Sequence, residues 1–151
     1  MTLLLLSLHI LAATIWIGGM FFAHVFLRPA TLQLEIEPRI DLWYGIFSRF
    51  FPWVWAIILI LPLSGYALLH TTFANPNPAP TYIRIMQWLG WSMIFLFVFL
   101  FLAHFRNMAK MVKKRLLPEA AIYLNRIRII VSINLFLGLV TIMVATTGRY
   151  W

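Results

Sequence analysis

Four stretches of this chain, about Leu3–Leu27, Phe50–Leu69, Ile85–Phe105 and Ile129–Thr147, contain no aspartate, glutamate, lysine or arginine. Each is long enough to cross a hydrocarbon layer of about 30 Å, which takes around 20 residues of helix. In lipid every backbone N–H and C=O must pair within its own segment, so runs like these are helices. With 63% hydrophobic and 11% charged residues, the chain has less than half the charged fraction, about 25%, of an ordinary soluble domain. A chain this short cannot hide so much apolar surface inside itself. The expected fold is therefore an all-α, four-transmembrane-helix bundle forming a single domain over residues 1–151, with the lipid bilayer as solvent. The first run has no basic leader and no small-residue cleavage pattern after it, so it reads as a retained helix rather than a signal peptide. Pro52 falls near the start of the second run, where proline is tolerated, whereas Pro62 lies inside it and is expected to kink it. The segment Asn75–Pro80 reads as a turn.

The formal charge of +8 looks at first like a nucleic-acid signal, but its placement gives it a different meaning. Arg28, Arg39 and Arg49 lie between the first two runs. Arg106, Lys110, Lys113, Lys114, Arg115, Arg126 and Arg128 lie between the last two. Only Arg84 and Arg149 lie on the other side. Cations concentrate in cytoplasmic connections, so both chain ends are expected outside (N-out/C-out), in a cytoplasmic membrane of the bacterial inner-membrane type. No nucleic-acid partner is implied. The basic stretch after the third run is expected to continue that helix past the bilayer to near Pro118.

Chemistry is limited by what is missing. Without cysteine there is no disulfide, iron–sulfur cluster or thioether-linked haem. Glu35, Glu37, Asp41 and Glu119 are the only acids. All fall in the cytoplasmic connections, which leaves no carboxylate in the membrane for a proton relay or a hydrolytic base.

Four histidines remain: His9, His24, His70 and His104. Ionisable groups in a membrane usually face the bundle interior. His9 and His24 are about 22 Å apart along their helix and about 60° around it, on broadly one face at two depths. With the helices alternating in direction, His24 and His104 come to the inner boundary and form an inner pair. His9 and His70 form an outer pair only if tilt or the Pro62 kink brings them level. Haem iron takes one or two axial ligands from facing helices, so all four histidines are candidate ligands for one or two haem b groups. Trp16 and Met20 share the His9 face and are candidate cofactor contacts, as are Arg28, Arg49 and Arg106 for propionates, since arginine pairs carboxylates in a two-pronged fashion. Met20 stands one turn from His24 and Met108 one turn from His104, so a methionine–histidine copper site is the alternative. Asn134, Gly138, Thr141 and Ala145 line one face of the fourth run and read as a packing seam with Asn134 hydrogen-bonded inside.

The run Leu8-His9-Ile10-Leu11-Ala12-Ala13-Thr14-Ile15-Trp16-Ile17-Gly18-Gly19-Met20, followed by Leu27-Arg28-Pro29, resembles the first helix of the copper-resistance D (CopD-like) membrane proteins. Ser48-Arg49-Phe50 leading to Leu63-Ser64-Gly65, and Arg128 with Asn134-Leu135-Phe136-Leu137-Gly138, are similar to that family's second and last helices. The first-helix pattern and His104 also resemble the HemJ-type protoporphyrinogen oxidases. Those proteins' third-helix lysine and Asn-Glu-x-Pro have no counterpart here. These resemblances imply a membrane oxidoreductase or electron-transfer protein with haem, and a quinone, oxygen species or porphyrin-type molecule as partner. A copper-handling protein and a non-catalytic membrane subunit stay open beside it.

Overall fold

The charge-free runs end where arginine and lysine begin, but the helices continue. This computed structural model describes residues 2–72 and 79–150, and among them there is no strand. The turn expected at Asn75–Pro80 lies, as far as Pro78, outside the described residues. Four helices are long and apolar enough to cross a membrane: α1 Thr2–Gln33, α2 Ile36–Thr72, α3 Thr81–Lys113 and α4 Leu117–Thr147. They contain 31 to 37 residues, or about 46 to 55 Å of helix against a hydrocarbon thickness of about 30 Å. The surplus lies mainly at one end, called here the basic end. The opposite, terminal end carries both chain termini.

The extensions have a sequence cause. Beyond the charge-free runs, buried apolar residues recur at helical spacing. Ile40, Trp43 and Phe47 do so in α2, Met108 and Val112 in α3, and Ala120, Leu124 and Ile127 in α4. A stripe with that period is enough to hold a helix against its neighbours even when its other faces are charged. The connection expected between Arg106 and Arg128 is thereby almost wholly helical. Helix α3 ends at Lys113 and α4 begins at Leu117, with Pro118 inside its first turn. Arg115 turns the corner in a left-handed conformation (φ 57°). Its guanidinium reaches Glu37 at 3.0 Å and Asp41 at 3.3 Å, which ties the corner to the start of α2.

Helix α1 packs along α2 and α3 along α4, and α4 also meets α1 and α2. Helices α2 and α3 are joined by rings. Phe51 stacks on Phe47 with centroids 5.0 Å apart and takes Phe105, Phe97 and Phe101 edge-on at 4.8, 5.5 and 6.0 Å. Lipid tails are as apolar as these side chains, so it is close packing rather than water exclusion that holds such helices together. The α4 seam works by the same rule. Gly138 is buried, and a Cβ there would come within 2.9 Å of Ile17 on α1 and 3.2 Å of Met93 on α3. Asn134 donates to the Met93 carbonyl at 3.3 Å. Ala145, at the far end of the seam, is exposed. Helix α2 keeps its helical pattern through both Pro52 and Pro62.

The core is unevenly distributed. No described residue of α1 before Ala12, of α2 after Ser64 or of α3 before Met93 is buried. Burial is thus concentrated in the middle and at the basic end, and the terminal end is thinly packed.

Candidate functional site

His9 lies at the edge of that thin region. It is half-buried, and its Nδ1 is 2.8 Å from the Ser64 hydroxyl on α2. Ser64 is itself buried and donates its hydrogen back to the Ile60 carbonyl at 2.6 Å, with Leu61 O at 3.2 Å. With that hydrogen so placed its oxygen is open to accept, an arrangement that suits the His9 tautomer with hydrogen on Nδ1 and a free lone pair on Nε2. The next residue is Gly65, where a Cβ would lie 3.3 Å from His9 Cε1. The imidazole therefore lies against a stretch of α2 where a glycine leaves room for its edge and a serine meets its Nδ1.

The same construction recurs at His24. Its Nδ1 is 3.0 Å from the hydroxyl of Ser132 on α4, which donates to the Arg128 carbonyl at 2.8 Å. Fixing one ring nitrogen with a hydrogen bond determines which nitrogen remains available for a metal. Two of the four candidate histidines meet a serine hydroxyl in this way.

The other two are placed differently. The Nδ1 of His104 is buried without a hydrogen-bond partner, and the ring meets Phe99 edge-on at 5.3 Å and Tyr123 at 6.3 Å. Tyr123 and Ser132 are about 13 Å apart along α4 and about half a turn around it. His24 and His104 therefore reach α4 at different levels and on different sides, and no hydrogen bond or ring contact joins them among the described residues. His70 is exposed. It follows Ser64 by about 9 Å along α2 and about 120° around it, so it stands away from the His9 face.

The expected cofactor contacts also divide. Trp16 and Met20 are buried at 2% and 4% exposure, and Trp16 packs edge-on against Phe97. Both belong to the core. Met108 is fully buried as well. Arg49 turns back to the Gly45 carbonyl at 3.1 Å, and Arg106 is exposed. Arg28 alone of these lies beside a histidine. It lines a crevice of about 20 Å³ with His24, Trp43, Phe47 and Arg128.

Two features were not legible from composition and spacing. One is the pair of serines. Each is a small polar residue in an apolar helix, and only the facing histidine shows what it is for. The other is backbone. Ala23–Leu27 and Leu100–Phe105, which carry His24 and His104, are π-helical turns, a form that is often found at functional sites. Among the described residues no three His, Asp or Glu side chains converge as a metal cage would require. Comparison with family models, curated proteins and solved structures returns no match.

Proposed function

We propose that the chain is an integral membrane haem b protein of electron transfer or oxidoreduction, with His9 as an axial ligand. The observation that carries this reading is the His9–Ser64 pair. It gives a neutral imidazole with Nδ1–H committed to a buried oxygen and Nε2 uncommitted, at the edge of the least tightly packed part of the bundle. The resemblance of the His9–Met20 run to CopD-like and HemJ-type proteins points the same way. Haem would supply one-electron chemistry that no side chain of this chain can provide. The protein's own part would be to hold the imidazole in one tautomer, to let its ring close against Gly65, and to exclude water with the apolar residues around it. An apolar redox partner of the quinone or porphyrin type, arriving through the lipid, suits a chain whose mass lies almost entirely in spanning helices. The excess of cations at one end supports placing that end in the cytoplasm and the termini outside.

The test is spectroscopic. The full chain, purified without added metal, should show a Soret band and b-type features on reduction, and His9→Ala should lose them. His70→Ala, in the exposed position, should leave them unchanged. A colourless protein carrying stoichiometric copper would replace this reading with the copper alternative. Wild-type haem content in His9→Ala would remove it.

A further inference from the structure

At the basic end, helices α1, α2 and α4 enclose a group of positive charges with no counter-charge. Arg128 lies over the Trp43 ring, with its guanidinium carbon 5.1 Å from the centroid. Trp43 is held in turn by its indole N–H, which donates to Thr31 Oγ1 at 3.1 Å, and Thr31 donates to the Arg28 carbonyl at 2.9 Å. The Arg128 side chain is thus pinned in place. Two of its nitrogens, Nε and Nη2, are buried and have no hydrogen-bond partner. The charges of Arg28 and Arg39 both bear on it. Among the described residues the only salt bridges join Arg115 to Glu37 and Asp41, so no carboxylate neutralises this group. Buried donors and like charges are costly unless paired, and Arg28, His24 and Arg128 line one small crevice beside them.

We propose that Arg28 and Arg128 bind the phosphate of an anionic phospholipid headgroup at the mouth of this crevice. Depth selects the lipid. Arg28 is the first charge after the uncharged run of α1, and Arg128 is the last before that of α4. The two mark the level where hydrocarbon gives way to headgroups. Directly toward the membrane from them, Val25 and Phe26 on α1 and Ile129 and Ile133 on α4 are exposed apolar side chains, a surface for the acyl chains of the same lipid. Basic pockets between spanning helices at such a boundary are suited to phosphate headgroups. The inference stands on these charges and does not depend on haem.

The experiment uses the purified full chain in detergent. Lipid binding is counted by native mass spectrometry, and thermal unfolding is followed in parallel, with added phosphatidylglycerol, phosphatidylcholine or inorganic phosphate. Phosphatidylglycerol should bind and raise the unfolding midpoint above the phosphatidylcholine level. Arg28→Gln and Arg128→Gln should each weaken it about fivefold, the effect of one cation near an anionic surface. Lys113→Gln, an exposed cation at the same end, should not. Should Arg128→Gln fail to fold, Arg28→Gln carries the test by itself. Equal binding of the two lipids, or phosphatidylglycerol binding that survives the arginine substitutions, would overturn the proposal. An equal midpoint shift from inorganic phosphate would overturn the lipid as occupant.

Discussion

Replacing Ser64 with alanine removes one oxygen and almost nothing else. The Ile60 and Leu61 carbonyls that the hydroxyl contacts are helix carbonyls with amide partners of their own, so neither is left unpaired. The lost volume is smaller than a methyl group. What disappears is the acceptor 2.8 Å from His9 Nδ1. As a purely structural bond between helices in lipid it is worth about 0.6 kcal/mol on average, so the folded protein should tolerate Ser64→Ala with a small loss. As the support of a metal ligand it is worth more. Removing such a partner costs about 10- to 100-fold in metal affinity, which is about 1.4 to 2.8 kcal/mol. The two roles therefore predict different ratios of effects. Haem titration followed at the Soret band, with thermal unfolding measured on the same samples, separates them. The expected result is weaker haem binding out of proportion to the loss of stability. Ser92→Ala is the control, because Ser92 donates to the Trp88 carbonyl at 2.8 Å in the same way but is exposed and faces no imidazole. Wild-type haem affinity and an unmoved Soret band in Ser64→Ala would refute the reasoning.

Other substitutions probe the frame around the site. Gly138→Ala should destabilise by about 1 to 3 kcal/mol through overpacking, because its Cβ would come within 2.9 Å of Ile17 and 3.2 Å of Met93; thermal unfolding in detergent measures this. Asn134→Leu should change stability by less than about 1 kcal/mol, since its single bond to Met93 O is long at 3.3 Å and its Oδ1 is buried without a partner; a large loss would show that the amide matters more than its geometry indicates. Arg115→Gly should also be near neutral, within about 1 kcal/mol, because relief of the left-handed backbone offsets two exposed ion pairs; denaturation in detergent checks it. Cysteines introduced by Asn77→Cys and Lys113→Cys should react with an impermeant reagent from opposite sides of the membrane. Labelling of Lys113→Cys from outside intact cells would reverse the orientation.

The four spans were legible because an uncharged run longer than the hydrocarbon thickness leaves the backbone no alternative to helix. The helical extensions were harder to see, since hydropathy falls once Arg39, Lys110 or Arg126 appears, even though Ile40, Met108 and Ile127 keep the period of a packed face. Of the site, the histidines themselves were visible and their partners were not. Spacing along one helix places His9 and His24 on a common face, but it cannot show that α2 brings Ser64 to one and α4 brings Ser132 to the other. The expected pairing of His24 with His104 considered depth alone. The structure adds the sides of α4 on which they arrive, and these differ. Trp16 and Met20 illustrate the converse, because a stripe at helical spacing that could have faced a cofactor is occupied by the core. Arg28 and Arg128 were read as markers of orientation, and Arg28 also as a propionate contact, but only the crevice that both line beside Trp43 shows them drawn together.

The two π-helical turns have a consequence for how the sequence can change. In each, an amide bonds five residues back, Arg28 N–H to the Ala23 carbonyl and Arg106 N–H to the Phe101 carbonyl, so each helix contains one residue more than an α-helix of that length would hold. Loss of a single residue from either turn would restore ordinary α-geometry without breaking the helix, and because the widened turn already absorbs that residue, the segments on either side would keep nearly their present phase. A deletion at Val25 would close this turn to α-geometry and leave both the membrane-embedded packing of His9 and Trp16 and the placing of Arg28 nearly in register, whereas a deletion in the regular α-helix on either side would rotate everything beyond it by about 100°. The membrane span and the charged extension of α1 are in this sense joined at a point where length can change by one residue without loss of register. The same holds for α3 on the two sides of His104.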